Sequence, residues 1–121
     1  MKKILDVGQC DFDHGNITRA LTKNFEVEVH RASTHEQAVE LAGKTSFDLI
    51  LVNRLLDANG SSGMDVVESL KSNPDTNSMP VMIVSNFEDA QEKAVAAGAV
   101  RGFGKTALTA SETIELLKNY L

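Results

Sequence analysis

The sequence predicts an α/β fold in which a parallel β-sheet is covered by helices on both faces. Three observations predict it. Short apolar runs alternate with amphipathic stretches five times along the 121 residues. Two of these runs, 49–52 and 81–84, are uniformly aliphatic, as a central parallel strand buried on both sides requires. Helix-starting Ser, Thr and Asp and helix-stopping Gly and Pro punctuate the stretches between them. Strands that alternate with helices imply parallel pairing through right-handed crossovers, with the order βαβαβαβαβα.

Each element follows in order. Ile4 to Val7 is the first strand, closed by Gly8. Asp13 is positioned to cap a helix whose Ile17, Ala20 and Leu21 share one face. Phe25, Val27 and Val29 alternate with Glu26, Glu28 and His30, so the second strand has one wet face and belongs at an edge. Ser33 with Glu36, or Thr34 with Gln37, makes a capping box for a helix that buries Ala38, Leu41 and Ala42 and stops at Gly43. The third strand ends at Asn53, and Asp57 to Gly63 is a loop by composition. Met64, Val67 and Leu70 face inward on the next helix, and Pro80 precedes the fourth strand. Glu88 to Ala97 is an alanine-rich helix ended by Gly98, and Val100 to Gly104 is a short fifth strand. Thr109 with Glu112 caps a last helix that buries Ile114, Leu117 and Leu121.

Composition bounds the function. A chain of this length fits a single domain, 1–121, and buries roughly two thirds of its unfolded surface. The net charge of −5, with no basic stretch beyond Lys2-Lys3, argues against direct nucleic-acid binding. No apolar run nears the roughly 20 residues that cross a bilayer. Lys2-Lys3 has no long apolar segment after it, as a signal peptide would. With one cysteine, Cys10, no internal disulfide forms, and the expected setting is cytoplasmic.

In sheets of this kind the working site lies at the carboxyl ends of the strands. That edge gathers Gly8-Gln9-Cys10-Asp11, Asn53-Arg54, Ser85-Asn86 and Gly104-Lys105-Thr106. No phosphate-loop motif, no Gly-x-Gly-x-x-Gly and no nucleophile–base pair accompanies them.

Several runs resemble the receiver domain of bacterial response regulators, over essentially the whole chain. They are Lys3-Ile4-Leu5, Phe47-Asp48-Leu49-Ile50-Leu51-Val52, Met79-Pro80-Val81-Met82-Ile83-Val84-Ser85, Ala96-Ala97-Gly98-Ala99 and Lys105. The resemblance implies a flavodoxin-like, doubly wound, five-stranded sheet of order 2-1-3-4-5 with five helices. It also implies phosphoryl transfer from a partner histidine kinase to an aspartate. Two acidic residues and that acceptor would hold Mg²⁺, and a Ser or Thr and a Lys would contact the phosphoryl oxygens.

Matched position by position, Ser85 and Lys105 keep the expected types, whereas Gly8 and Gln9 stand in the places of the acidic pair. Asn53 stands at the acceptor. Thr106 replaces the proline that follows the lysine, and the aromatic switch position falls at Gly102, with Phe103 displaced by one. Mg²⁺ usually relies on one or two carboxylates, so its binding is expected to be weak or absent and no cofactor is expected. Asp11 and Asp13 are weak metal candidates, read first as a loop residue and a helix cap. Asn53 is placed to hydrogen-bond Lys105, which otherwise reaches solvent. Asp57, four residues past Asn53, is the nearest carboxylate and is read first as too distant to substitute as acceptor. Asp6, inside the first strand, needs a partner or local access to water, because an unpaired buried carboxylate is costly.

The expectation is therefore a degenerate, non-phosphorylated receiver-like signalling domain that is not an enzyme and acts by protein–protein contact. Its degenerate pocket comprises Gly8, Gln9, Asn53, Ser85 and Lys105. Its partner surface comprises Glu88, Gln91, Lys93, Arg101, Thr109 and Glu112. The partner is a signalling protein such as a histidine kinase or an output protein, and the chain is a monomer or weak homodimer. Two alternatives stand beside this one. The first is an active phosphorelay receiver that uses another carboxylate, Asp57 or Asp11. The second is an unrelated flavodoxin-like ligand binder.

Overall fold

β1 (Lys2–Val7) pairs in parallel with β2 (Val27–Ala32) on one side and with β3 (Leu49–Asn53) on the other, and β3 pairs with β4 (Val81–Val84). The computed structural model, covering Met1–Leu121, thus holds a four-stranded sheet of order β2-β1-β3-β4. The helices are α1 (Asp11–Asn24), α2 (His35–Lys44), α3 (Gly63–Ser72), α4 (Glu88–Ala96) and α5 (Ser111–Leu117). A short 3-10 turn spans Lys105–Ala107.

Period-two alternation along the strands supplies both cores. Leu5, Val7, Ile50, Val52, Val81 and Ile83 join Ala38, Val66, Leu70 and Ala94 on the α2–α3–α4 face. Ile4, Leu49, Leu51, Met82 and Val84 join Ile17, Leu21 and Leu117 on the α1–α5 face. Each Leu, Ile or Val so buried contributes about 1.5–3 kcal/mol relative to exposure.

The expected fifth strand is absent as a ladder. Residues 100–104 run beside β4 with only two backbone bonds across the gap, Val100 N–H to Val81 O (2.9 Å) and Ser85 N–H to Phe103 O (3.0 Å). Between them stands the carboxamide of Gln91. Its Nε2 donates to Ile83 O (2.9 Å) and Ser85 O (3.1 Å), and its Oε1 accepts from Gly102 N–H (2.8 Å). A side-chain amide thus replaces the strand-to-strand link, and only the Val84–Phe103 bridge remains. Gly102 makes this approach feasible, because a Cβ there would collide with Ile83 O and lie 3.1 Å from Met82 Cβ. Gln91, expected on the partner surface, is therefore interior, with 3% exposure.

Two expected caps also differ. At α1 the Cys10 thiol, not Asp13, accepts from the backbone, at 3.4 Å from Asp13 N. At α5 the N-cap is Ala110, without a side-chain bond, so Thr109 and Glu112 form no capping box. That helix buries Thr113 and Leu117, while Ile114 and Leu121 are half-buried. The α2 cap takes the Thr34 option. Thr34 Oγ1 accepts from Gln37 N–H (3.2 Å), and Gln37 Oε1 accepts from Ser33 N–H (2.8 Å).

Candidate functional site

The strand tips converge on the carbonyl of Gly8. Asn53, the last residue of β3, donates from Nδ2 to Gly8 O at 3.0 Å, and the Asp57 amide donates to the same oxygen at 2.9 Å. Asn53 thus ties β3 to the end of β1 and makes no bond to Lys105. Its amide is matched to a partner that can only accept. Gly8 sits at φ +76°, and Leu56 is packed directly on it, 1% exposed.

Beside this tie lies a cavity of about 260 Å³, lined by Asn53, Arg54, Ser85, Asn86, Phe87 and Lys105 together with Leu55 and Val84. The structure brings the expected Asn53, Ser85 and Lys105 together here. Gln9 does not line it; the side chain is 3% exposed and neither amide atom has a partner. Gly8 contributes only through its carbonyl. The Arg54 guanidinium lies 4.7 Å from the centroid of the Phe87 ring, a cation–π contact at the mouth. Ser85 Oγ accepts from Phe87 N–H (3.1 Å) and Asn86 Oδ1 from Thr106 Oγ1 (3.1 Å), so both polar groups brace the loops. No carboxylate lines the cavity.

Lys105, expected to reach solvent, is held by Asp13. The Nζ–Oδ2 distance is 2.8 Å, and the pair ties α1 to the 3-10 turn. This hydrogen bond holds the Asp13 carboxyl below the usual carboxylate range. A lowered pKa adds stability that is present at neutral pH and lost as pH falls through the folded value. Asp13→Asn is therefore expected to cost up to about 1 kcal/mol at pH 7 and progressively less as pH falls through the folded value. Urea midpoints from neutral to acid pH check it. Asp11 pairs with Arg31 (2.7 Å). The two metal candidates thus serve separate cations, and no cluster of three or more His, Cys, Asp or Glu is placed to hold an ion. Asp57 reaches the tips through its backbone, and its side chain is exposed.

Of the expected partner surface, Glu88, Lys93, Arg101, Thr109 and Glu112 are exposed. Glu88 and Arg101 form a two-pronged ion pair across α4 and the 100–104 segment, with one arm at 2.7 Å. Sequence reasoning missed two polar residues that pack inward, the interior Gln91 and the half-buried His14. Gln91 shares the inner face of α4 with Ala90 and Ala94, a spacing that could have revealed it. His14 lies one and two helical turns before the inward-facing Ile17 and Leu21 and bonds Asp6. That spacing, set against a lone Asp within β1, was the available signal.

Comparison with known proteins agrees with this geometry. The family model described as response regulator receiver domain matches residues 13–117. Among curated proteins none matches the sequence. Solved structures match over nearly full length. A response-regulator-like protein from Chloroflexus aurantiacus is 22% identical, with a TM-score of 0.86 over 98% of this chain and 96% of that one. The chemotaxis protein CheY4 of Vibrio cholerae is 20% identical, with a TM-score of 0.77 over 100% and 99%. The receiver domain of a Pseudomonas aeruginosa sensor histidine kinase, whose cleft coordinates a magnesium ion, is 18% identical, with a TM-score of 0.80 over 98% and 96%. At these identities the likeness concerns the fold.

Proposed function

The chain belongs to the response regulator receiver domain family, and from that premise we propose that it is a two-component signalling domain that works without phosphorylation, through contact with a protein partner. One observation carries the reading. At the acceptor position stands an amide whose NH₂ is spent on the Gly8 carbonyl. An amide does not form an acyl phosphate as a carboxylate does, and a carboxylate in its place would point at another acceptor.

A divalent cation does not fit the residues present. The place of one acidic residue is Gly8, covered by Leu56; that of the other is Gln9, buried outside the cavity. The cavity beside them carries Arg54 and Lys105 and no carboxylate. A hard cation needs anionic oxygen here and meets none.

The surface offered to a partner is formed by α4, the 100–104 segment and α5. The Glu88–Arg101 pair and the Gln91 clamp hold it in one arrangement. The partner is a signalling protein, a histidine kinase or an output protein. No helix is long and apolar enough to cross a membrane.

Acetyl phosphate with Mg²⁺ tests the reading. No mass gain and no amide shifts around Asn53 and Lys105 are expected. A phosphoryl adduct on Asp57 or Asp11 would overturn the reading in favour of a working phosphorelay receiver with a displaced acceptor.

A further inference from the structure

Asp6 lies in the interior of a parallel sheet, with 0% exposure. It shares a strand face with Ile4, toward the core that Leu51, Ile17, Leu21 and Leu117 build. One carboxylate oxygen meets His14 Nδ1 of α1 at 2.7 Å, and the other has no partner. The far nitrogen of His14 finds only Thr18 Oγ1, at 3.5 Å. Beside the carboxylate is Gln9, also interior, with both amide atoms unpartnered.

The surrounding elements add little compensation. From β2, Arg31 faces the carboxylate, but its guanidinium already bonds Gln9 O (3.1 Å) and Asp11 (2.7 Å). From β3 and α5 come Leu51 and Leu117, which carry no charge. His14 is therefore the sole titratable side chain bonded to Asp6.

A carboxylate with one donor and one orphan oxygen is poorly satisfied when ionised. Protonation removes that buried charge, whereas His14 and the neighbouring Gln9 amide favour the ionised form. We propose that the Asp6–His14 pair is a proton-responsive joint between β1 and α1: a proton taken up by Asp6 as pH falls removes the buried charge and exchanges its charge-assisted bond to His14 for a neutral one. The pair adjoins the Asp13–Lys105 tie on the same helix. The inference stands whether or not the domain accepts phosphate.

The sign follows from burial. Desolvation is the main cause that raises the Asp6 pKa from 3.8 to about 6, with the His14 bond opposing it. A raised value means that the group's stabilising contribution is full below about 4 and lost as pH rises through about 6. Between pH 5 and 7.5 this one group is expected to raise the unfolding constant about tenfold.

The test compares wild type with Asp6→Asn by urea unfolding across pH 5 to 7.5, with carbon NMR of the Asp6 carboxyl and amide shifts along α1. The expected results are a tenfold divergence of the two pH profiles, an Asp6 midpoint near 6, and α1 amides that follow it in wild type alone. Parallel profiles, or an Asp6 midpoint below 4.5, would overturn the proposal. Should Asp6→Asn not fold, His14→Leu gives the same decision. Loss of the bond that opposes desolvation must move the Asp6 midpoint upward, and an unmoved midpoint overturns the proposal.

Discussion

Gly8→Asp, which rebuilds half of the acidic pair of receiver domains, is expected to destabilise the protein by about 2–6 kcal/mol instead of restoring metal binding. Two costs add. Gly8 holds φ +76°, a region that costs a residue with a Cβ about 1–3 kcal/mol. The new Cβ would also fall within the Leu56 side chain and 3.1 Å from Leu56 Cα. Leu56 is enclosed by the α2–α3–α4 core, so it cannot swing away freely, and such overpacking costs about 1–3 kcal/mol more. Urea unfolding measures the loss, and a Mg²⁺ titration of the folded fraction reads the metal. Asn53→Asp has a related fault, since its carboxylate would face Gly8 O and lose the 3.0 Å bond. A stable Gly8→Asp, Asn53→Asp double variant that binds Mg²⁺ and gains mass with acetyl phosphate would show that the pocket is only two substitutions from activity.

Gln91→Leu is expected to cost about 2–5 kcal/mol, because it strands three backbone groups at once: Ile83 O, Ser85 O and Gly102 N–H. Leucine fills a similar volume, so the loss reports hydrogen bonding more than packing. Faster amide exchange at Gly102 accompanies it, since that N–H loses its acceptor. Gln91→Glu separates the roles. Its ionised carboxylate still accepts from Gly102 but cannot donate to either carbonyl, so this variant should recover part of its loss on acidification, when the carboxyl regains a donor. A Gln91→Leu protein as stable as wild type would mean that the 100–104 segment re-pairs with β4 as an ordinary fifth strand.

Much of this was legible in the chain. The aliphatic runs at 49–52 and 81–84 and the Thr34 cap rest on local chemistry and lie where they were read, whereas the edge strand read from Phe25 to His30 spans Val27–Ala32, Phe25 closing α1 instead. The gathering of Asn53, Ser85 and Lys105 followed from topology, since all parallel strands end at one edge. The fifth strand was not legible. Val100–Gly104 has the sequence of a weak strand, and what interrupts its ladder is a side chain from α4, nine residues before Val100. The partner of Lys105 was hidden for the same reason. Asp13 is 92 positions from Lys105, and nothing local selects it over Asn53.

By itself the sequence determined the layer order, the faces of the strands and the amide of Asn53 at the strand tip, because periodicity and residue type act within a few positions of the chain. Only the tertiary structure decided where each polar group is spent: Asn53 on Gly8, Lys105 on Asp13, Gln91 between β4 and Gly102, Asp6 on His14. Hydrogen bonds of buried groups are settled by whichever donor or acceptor the packed elements bring within about 3 Å, and that meeting is a property of the whole fold.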